Sequence, residues 1–209
     1  MNLSRDSIVH RKSWRTLVLL ALVLVFAMST WFSATAVIPQ LTNNWDLNAT
    51  TAAWMTIAVQ LGFVIGAVLS SLFNLADLVP SAKIIMIGSL GAGLANFLIL
   101  FANGPGAGIP LRFATGFFIA AVYPPAFKLT STWFIKKRGQ ALGIMAAALV
   151  IGNGFPHLIN ALGGLEWEIV LEITSFQALI GGIIAGMCLQ EGPNPFPSAA
   201  ADLRQIGRV

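Results

Sequence analysis

Leu-Val-Leu-Leu-Ala-Leu-Val-Leu-Val-Phe-Ala-Met at residues 17–28 and Gly-Ile-Met-Ala-Ala-Ala-Leu-Val-Ile-Gly at 143–152 contain no charged residue. Neither run shows the alternation over about ten residues that marks a membrane strand. Each lies within a stretch of the roughly 20 apolar residues that a helix needs to cross hydrocarbon. Six such stretches occur: about 17–38, 52–72, 84–102, 109–130, 141–162 and 169–189. Of the 209 residues 56% are apolar and 10% charged, against about 25% charged in a soluble domain, so too little polar surface exists to clothe a water-soluble fold. The expected architecture is an all-α membrane protein, a bundle of six transmembrane helices embedded in a lipid bilayer. It is flanked by a basic tail (1–16) and a Pro-rich segment (190–209) around a membrane domain (17–189).

Charge sets the orientation. Arg5, Arg11, Lys12 and Arg15 precede the first span, Lys83 follows the second, Lys136, Lys137 and Arg138 follow the fourth, and Arg204 and Arg208 close the chain. Residues 39–51, 103–108 and 163–168 carry no Lys or Arg. This alternation places both termini in the cytoplasm, and the expected location is an inner (cytoplasmic) membrane. The net charge of +4 is therefore a topology signal, and no nucleic-acid partner is expected. Ala34-Thr35-Ala36 after the first apolar run resembles a signal-peptide cleavage site. The run continues through Val37 and Ile38, however, and cleavage would destroy the alternation, so the first span is expected to stay.

A single cysteine, Cys188, excludes a disulfide framework. Phosphate-loop, zinc-protease and serine-elbow motifs are all missing, and Ser89 with His157 has no supporting pattern for a protease. Neither an enzyme nor a cofactor is expected. Small residues recur at helix-packing spacing: Gly62, Gly66, Ser70; Gly88, Ala92, Asn96; Gly139, Gly143, Ala147; Gly182, Gly186.

Ionisable residues inside the spans are costly and therefore informative. Arg112 heads a narrow face of the fourth span that continues through Gly116, Ala120 and Tyr123. It either holds an anion or carboxylate, or snorkels to the outer headgroups. Lys128 is read as snorkelling. His157 follows Gly152-Asn153-Gly154-Phe155-Pro156, a stretch expected to break the fifth helix. Arg112, His157 and Glu172 share one depth, so they form either a titratable cluster for proton coupling or, for Glu172, part of the outer interface with Glu166, Trp167 and Glu168. Trp31, Ser33, Gln60 and Asn96 are candidates for interhelical hydrogen bonds.

Three stretches resemble the N-terminal half of a major facilitator superfamily transporter. Asn74 to Lys83 is similar to the signature G-x-L-A-D-R-x-G-R-K, with Leu75, Ala76 and Asp77 kept and Lys83 one place late. Phe73, Leu78, Pro80 and Ser81 replace its glycines and arginines. Arg112 to Gly116, followed by Ala120 and Tyr123-Pro124, resembles the family's R-x-x-x-G pattern. Trp133-Phe134 and Lys136 to Gly143 resemble the inside loop and the entry to the fifth span. The resemblance implies a 3+3 inverted repeat forming half of a twelve-helix transporter, which moves a small-molecule or ion substrate by alternating access. It further implies a pathway along the first, second, fourth and fifth spans, with Trp31, Gln60, Arg112, Tyr123, Asn153 and His157 as candidates. Asp77, Lys83 and Arg138 would form a gating loop. Arg112 leans this reading toward an anion, with His157 as proton partner. Six spans require a C-terminal six-helix half or a second copy as partner. The length fits a truncated or split gene product, a self-assembling half or a fragment, and the competing function is a remnant or packing partner that transports nothing.

Overall fold

A computed structural model describes residues 3–163 and 166–194. Within them the chain forms α1 (Leu3–Ala36), α2 (Ile38–Trp45), α3 (Ala49–Leu72), α4 (Leu75–Leu78), α5 (Ser81–Leu98), α6 (Pro105–Ile119), α7 (Tyr123–Trp133), α8 (Arg138–Gly163) and α9 (Trp167–Cys188). A 3-10 turn, Ile99–Phe101, ends the third span. Six helical stretches are long and apolar enough to cross a membrane: His10–Ala36, Ala49–Leu72, Ser81–Phe101, Pro105–Trp133, Arg138–Ala161 and Trp167–Cys188. Each coincides with one of the six expected spans.

Three details depart from the sequence reading. The basic segment before residue 17 is helical from Leu3 onward, continuous with α1. The fourth span is two helices, interrupted at Ala120–Val122. Tyr123-Pro124-Pro125 causes this, because proline suits the first turn of a helix but cannot donate inside one. Arg112 and Tyr123 therefore do not share one unbroken face. Conversely, α8 runs straight through Gly152 to Pro156, where a break was expected. A proline removes one hydrogen bond, whereas opening the helix in an apolar setting would strand several backbone groups, so the helix persists. Of the expected tail, Gln190 to Asn194 are described, while Pro195, Pro197, Arg204 and Arg208 lie outside the described residues.

Packing follows the expected inverted repeat. The most extensive contacts are α3 with α6, α1 with α8, and α5 with α9. Exchanging the first three spans for the last three maps the first pair onto the second and the third onto itself. Hydrocarbon supplies no hydrophobic force between helices, so close backbone approach does the work. On the parallel pair α3 and α6, a Cβ on Gly116 would sit 1.9 Å from the Val59 carbonyl oxygen, and one on Gly62 would sit 2.0 Å from that of Phe113. Gly152 lies similarly on the Val25 carbonyl, binding α8 to α1. Gly139 and Gly143, in contrast, meet nothing within 4 Å among the described residues.

A buried polar knot joins three spans. Asn96 of α5 accepts from Ser33 Oγ of α1 at 2.6 Å and donates to Ser175 Oγ of α9 at 2.9 Å. This is the interhelical use expected of Ser33 and Asn96. At the basic end of the bundle, the segment after α9 is tied down. The Ser81 amide at the start of α5 donates to a Glu191 carboxylate oxygen (2.6 Å), and Trp133 Nε1 donates to the Gln190 carbonyl (3.0 Å).

Gly116→Val should destabilise the folded chain by roughly 1–3 kcal/mol through overpacking, whereas Gly143→Ala, facing open space among the described residues, should raise its stability by up to about 1 kcal/mol. Thermal unfolding in detergent, followed by size-exclusion, separates the two outcomes.

Candidate functional site

The first, second, fourth and fifth spans surround a cavity of about 230 Å³, lined by Met28, Trp31, Phe63, Tyr123, Leu149 and Asn153. Three of the expected pathway residues, Trp31, Tyr123 and Asn153, meet here. Half of the lining is aromatic, and the rings follow one another in series. Trp31 packs edge-on against Phe63 (centroids 4.9 Å), Phe63 lies 6.4 Å from Tyr123, and Tyr123 is 4.9 Å from Phe127. The break before Tyr123 restarts the helix there, on the wall of the cavity. Asn153 Oδ1 is buried with no hydrogen-bond partner among the described residues, an expensive arrangement unless something else donates to it.

Phe63, Met28 and Leu149 were not anticipated. An apolar residue in an apolar span carries no sequence signal of its own, and only its neighbours in space mark it.

Arg112 neither snorkels nor lines this cavity. It is completely buried. Its Nε donates to the Met55 carbonyl of α3 at 3.2 Å, Nη1 to the Thr30 carbonyl of α1 at 2.9 Å, and Nη2 to the Trp31 carbonyl. One fork thus joins helices from both halves of the repeat. The last turns of α1 carry the negative end of its dipole, a favourable place for a cation.

The expected grouping of Arg112 with His157 and Glu172 is not formed. His157 is exposed on α8, with its ring 6.0 Å from Phe32, and Glu172 is exposed on α9. Gln60 is exposed on α3.

The gating-loop residues also part company. Asp77 pairs with Lys128 Nζ at 2.5 Å, so Lys128 reaches a carboxylate rather than headgroups. Arg138 donates to the Phe134 and Ser131 carbonyls, both at 3.4 Å, and Lys83 is exposed at the start of α5. The pairing joins the short α4 to α7, across the two halves of the repeat.

The sequence profile of the Major Facilitator Superfamily matches residues 19–207. The chain belongs to that superfamily. It is 30% identical over 178 residues to the puromycin resistance protein of Streptomyces alboniger, covering 81% of this chain and 34% of that protein. It is 35% identical over 83 residues to the fujikurins efflux protein of Gibberella fujikuroi, covering 38% of this chain and 17% of the other. In fold it is similar to a bacterial homolog of the human lysosomal transporter Spinster, solved inward-facing and unoccupied. The TM-score there is 0.73 at 16% identity, over 93% of this chain and 47% of that one. The chain thus spans about a third of the puromycin resistance protein and just under half of the solved transporter. Membership of this superfamily makes it a multi-pass membrane protein of a transport family.

A buried cation without a counter-ion is costly, so the two halves of its role can be separated. Arg112→Lys keeps the charge and loses the fork, and should cost roughly 1.5–3 kcal/mol. Arg112→Met removes charge and keeps length, and should change stability by less than about 1.5 kcal/mol. Detergent melting of the two variants checks the order. For Asp77→Asn, the half-exposed pair predicts a loss of only about 0–1 kcal/mol in the same assay.

Proposed function

We propose that this chain is the first six-helix half of a secondary transporter that moves an amphipathic, aromatic organic solute by alternating access. The aromatic cavity carries the reading. Trp31, Phe63 and Tyr123 offer stacking faces, and Asn153 offers an unpaired acceptor to orient a donor on the solute. Ligand sites run to roughly 300–1,000 Å³, so a wall enclosing about 230 Å³ suits one half of a site that a second half completes. A relative named for efflux supports export as the direction.

The second half is argued from what this chain leaves open. The spans α3 and α8 are the least covered of the six, and they flank the cavity. Leu61, Val64 and Val68 on α3 are exposed, as are Val150, Ile151 and Leu158 on α8. On α8 the bare Gly139 and Gly143 allow another helix to approach closely. A C-terminal six-helix half suits this face, and so does a second copy of the chain. The basic end faces the cytoplasm by the charge rule.

In this scheme Arg112 positions the cavity wall, because its donors are taken by carbonyls of α1 and α3. The solute is therefore read as organic, with no anion contact at Arg112. The Asp77–Lys128 pair holds the cytoplasmic loop, and His157, exposed on a pathway helix, is the residue assigned to proton coupling.

Export of an aromatic dye from cells carrying the complete transporter tests the scheme. Tyr123→Ala and Trp31→Ala should each lower the rate about five- to tenfold, the loss of one stacking contact, without lowering protein level. A rate unchanged in both, or a complete transporter that moves nitrate and no dye, rejects the aromatic site. Proton-gradient dependence that survives His157→Gln rejects coupling at that residue.

A further inference from the structure

We infer that the basic end of the bundle carries a binding groove for the phosphate of an anionic phospholipid, formed by Lys12 and Arg15 of α1 with Trp133 and the end of α9. The groove is a cavity of about 270 Å³ lined by Lys12, Arg15, Thr16, Trp133, Met187 and Gln190, with Leu19 and Cys188 completing it. Lys12 and Arg15 stand three residues apart, on one face of a helix. Both are exposed, and among the described residues neither has an acidic partner within ion-pair distance. Among the described residues no Asp or Glu lines the cavity. The nearest carboxylate along the chain, Glu191, is turned to the Ser81 amide.

The groove is held in shape rather than formed by loose side chains. Trp133 Nε1 is fixed on the Gln190 carbonyl at 3.0 Å, and the Gly192 amide donates to Thr132 Oγ1 at 3.1 Å. The indole wall and the α9 terminus therefore keep their places. Tryptophan is also the residue favoured where headgroups meet hydrocarbon.

The apolar surface beside the groove decides between a lipid and a soluble phosphate. From Arg15 the same face of α1 continues to Val18, 64% exposed, and then Leu22. From Met187, 81% exposed, one face of α9 continues through Ile183, Ile180 and Phe176, all exposed. The helices α1 and α9 pack along their length. Two apolar stripes thus run from the cationic groove into the membrane-spanning part of the bundle, as acyl chains below a phosphate require. A basic pocket between helices at this level is the arrangement that captures anionic headgroups. A free phosphate would use the charges and leave the stripes idle.

Native mass spectrometry of the full chain in detergent, titrated with dioleoylphosphatidylglycerol or dioleoylphosphatidylcholine, tests the assignment. Phosphatidylglycerol should bind at least about tenfold more tightly than phosphatidylcholine. That preference should collapse in Lys12→Gln/Arg15→Gln, which removes two charges each adding about a fivefold factor near a lipid surface. The charge-matched control is Arg11→Gln/Lys83→Gln, two exposed cations outside the groove, and it should keep the preference. Equal loss in both double variants would mean diffuse surface charge and overturn the site, as would a preference untouched by Lys12→Gln/Arg15→Gln. Displacement of the lipid by millimolar inorganic phosphate would overturn the lipid as occupant in favour of a soluble phosphate. Melting of each variant confirms that any loss is not misfolding.

Discussion

Close contact between the backbones of α3 and α6 sets the terms for the rest of the molecule. In lipid the usual drive to bury apolar surface vanishes, because the alternative environment is as apolar as the interface. What remains is dispersion at short range, which grows as backbones approach. Gly116 lets α6 settle against the Val59 carbonyl, and Gly62 does the same for α3 against Phe113. Because the helices are parallel, the register carries one turn further. Four residues before Gly116 stands Arg112, and four before Val59 stands Met55, whose carbonyl Arg112 engages. A leucine at either glycine would spread the helices and break that reach. The same register sets Phe63 against Trp31 at the cavity wall.

The two halves of the repeat are then joined by polar contacts of unequal strength. Arg112 binds α6 to α1 and α3 from a fully buried position. Asn96 binds α5 to α1 and α9 through hydroxyls. Asp77 and Lys128 meet at the rim, where water weakens the attraction. Burial ranks these contacts by the cost of breaking them. The rim pair is cheap to break, while the buried ones are not.

The spans were legible because hydropathy over 20 residues averages away local detail, and the alternation of basic segments adds an independent check. Side-chain roles at single positions were less so. Lys128 and Asp77 are 51 residues apart, and no periodic pattern links them. Arg112 was visible as an anomaly in an apolar helix, but its partners are carbonyls, which every residue possesses and no sequence displays. Gly152 to Pro156 misled for a related reason. Propensities measured in water charge a proline for one lost bond, while the membrane charges far more for opening the helix around it. Trp31, Tyr123 and Asn153 were assigned to four pathway spans by resemblance, and these three do meet at one cavity. Gln60 and His157, on the same spans, are exposed and lie outside the lining of that cavity.

That exposed pair bears on the surroundings of α3 and α8. A polar side chain exposed on a membrane helix is unfavourable against lipid, so Gln60 and His157 argue for a polar or protein-covered surface on the open sides of α3 and α8. The apolar residues beside them are equally compatible with lipid and with another helix, and by themselves decide nothing. The bare glycines of α8 tip the balance. Where α8 meets α1, a glycine is filled by a neighbouring carbonyl, at Gly152. At Gly139 and Gly143, and again at Gly154, the same absence of a side chain meets nothing within 4 Å among the described residues. A helix that simply faced lipid would gain from leucine at those positions. Left as glycine, they leave room for a second backbone to approach.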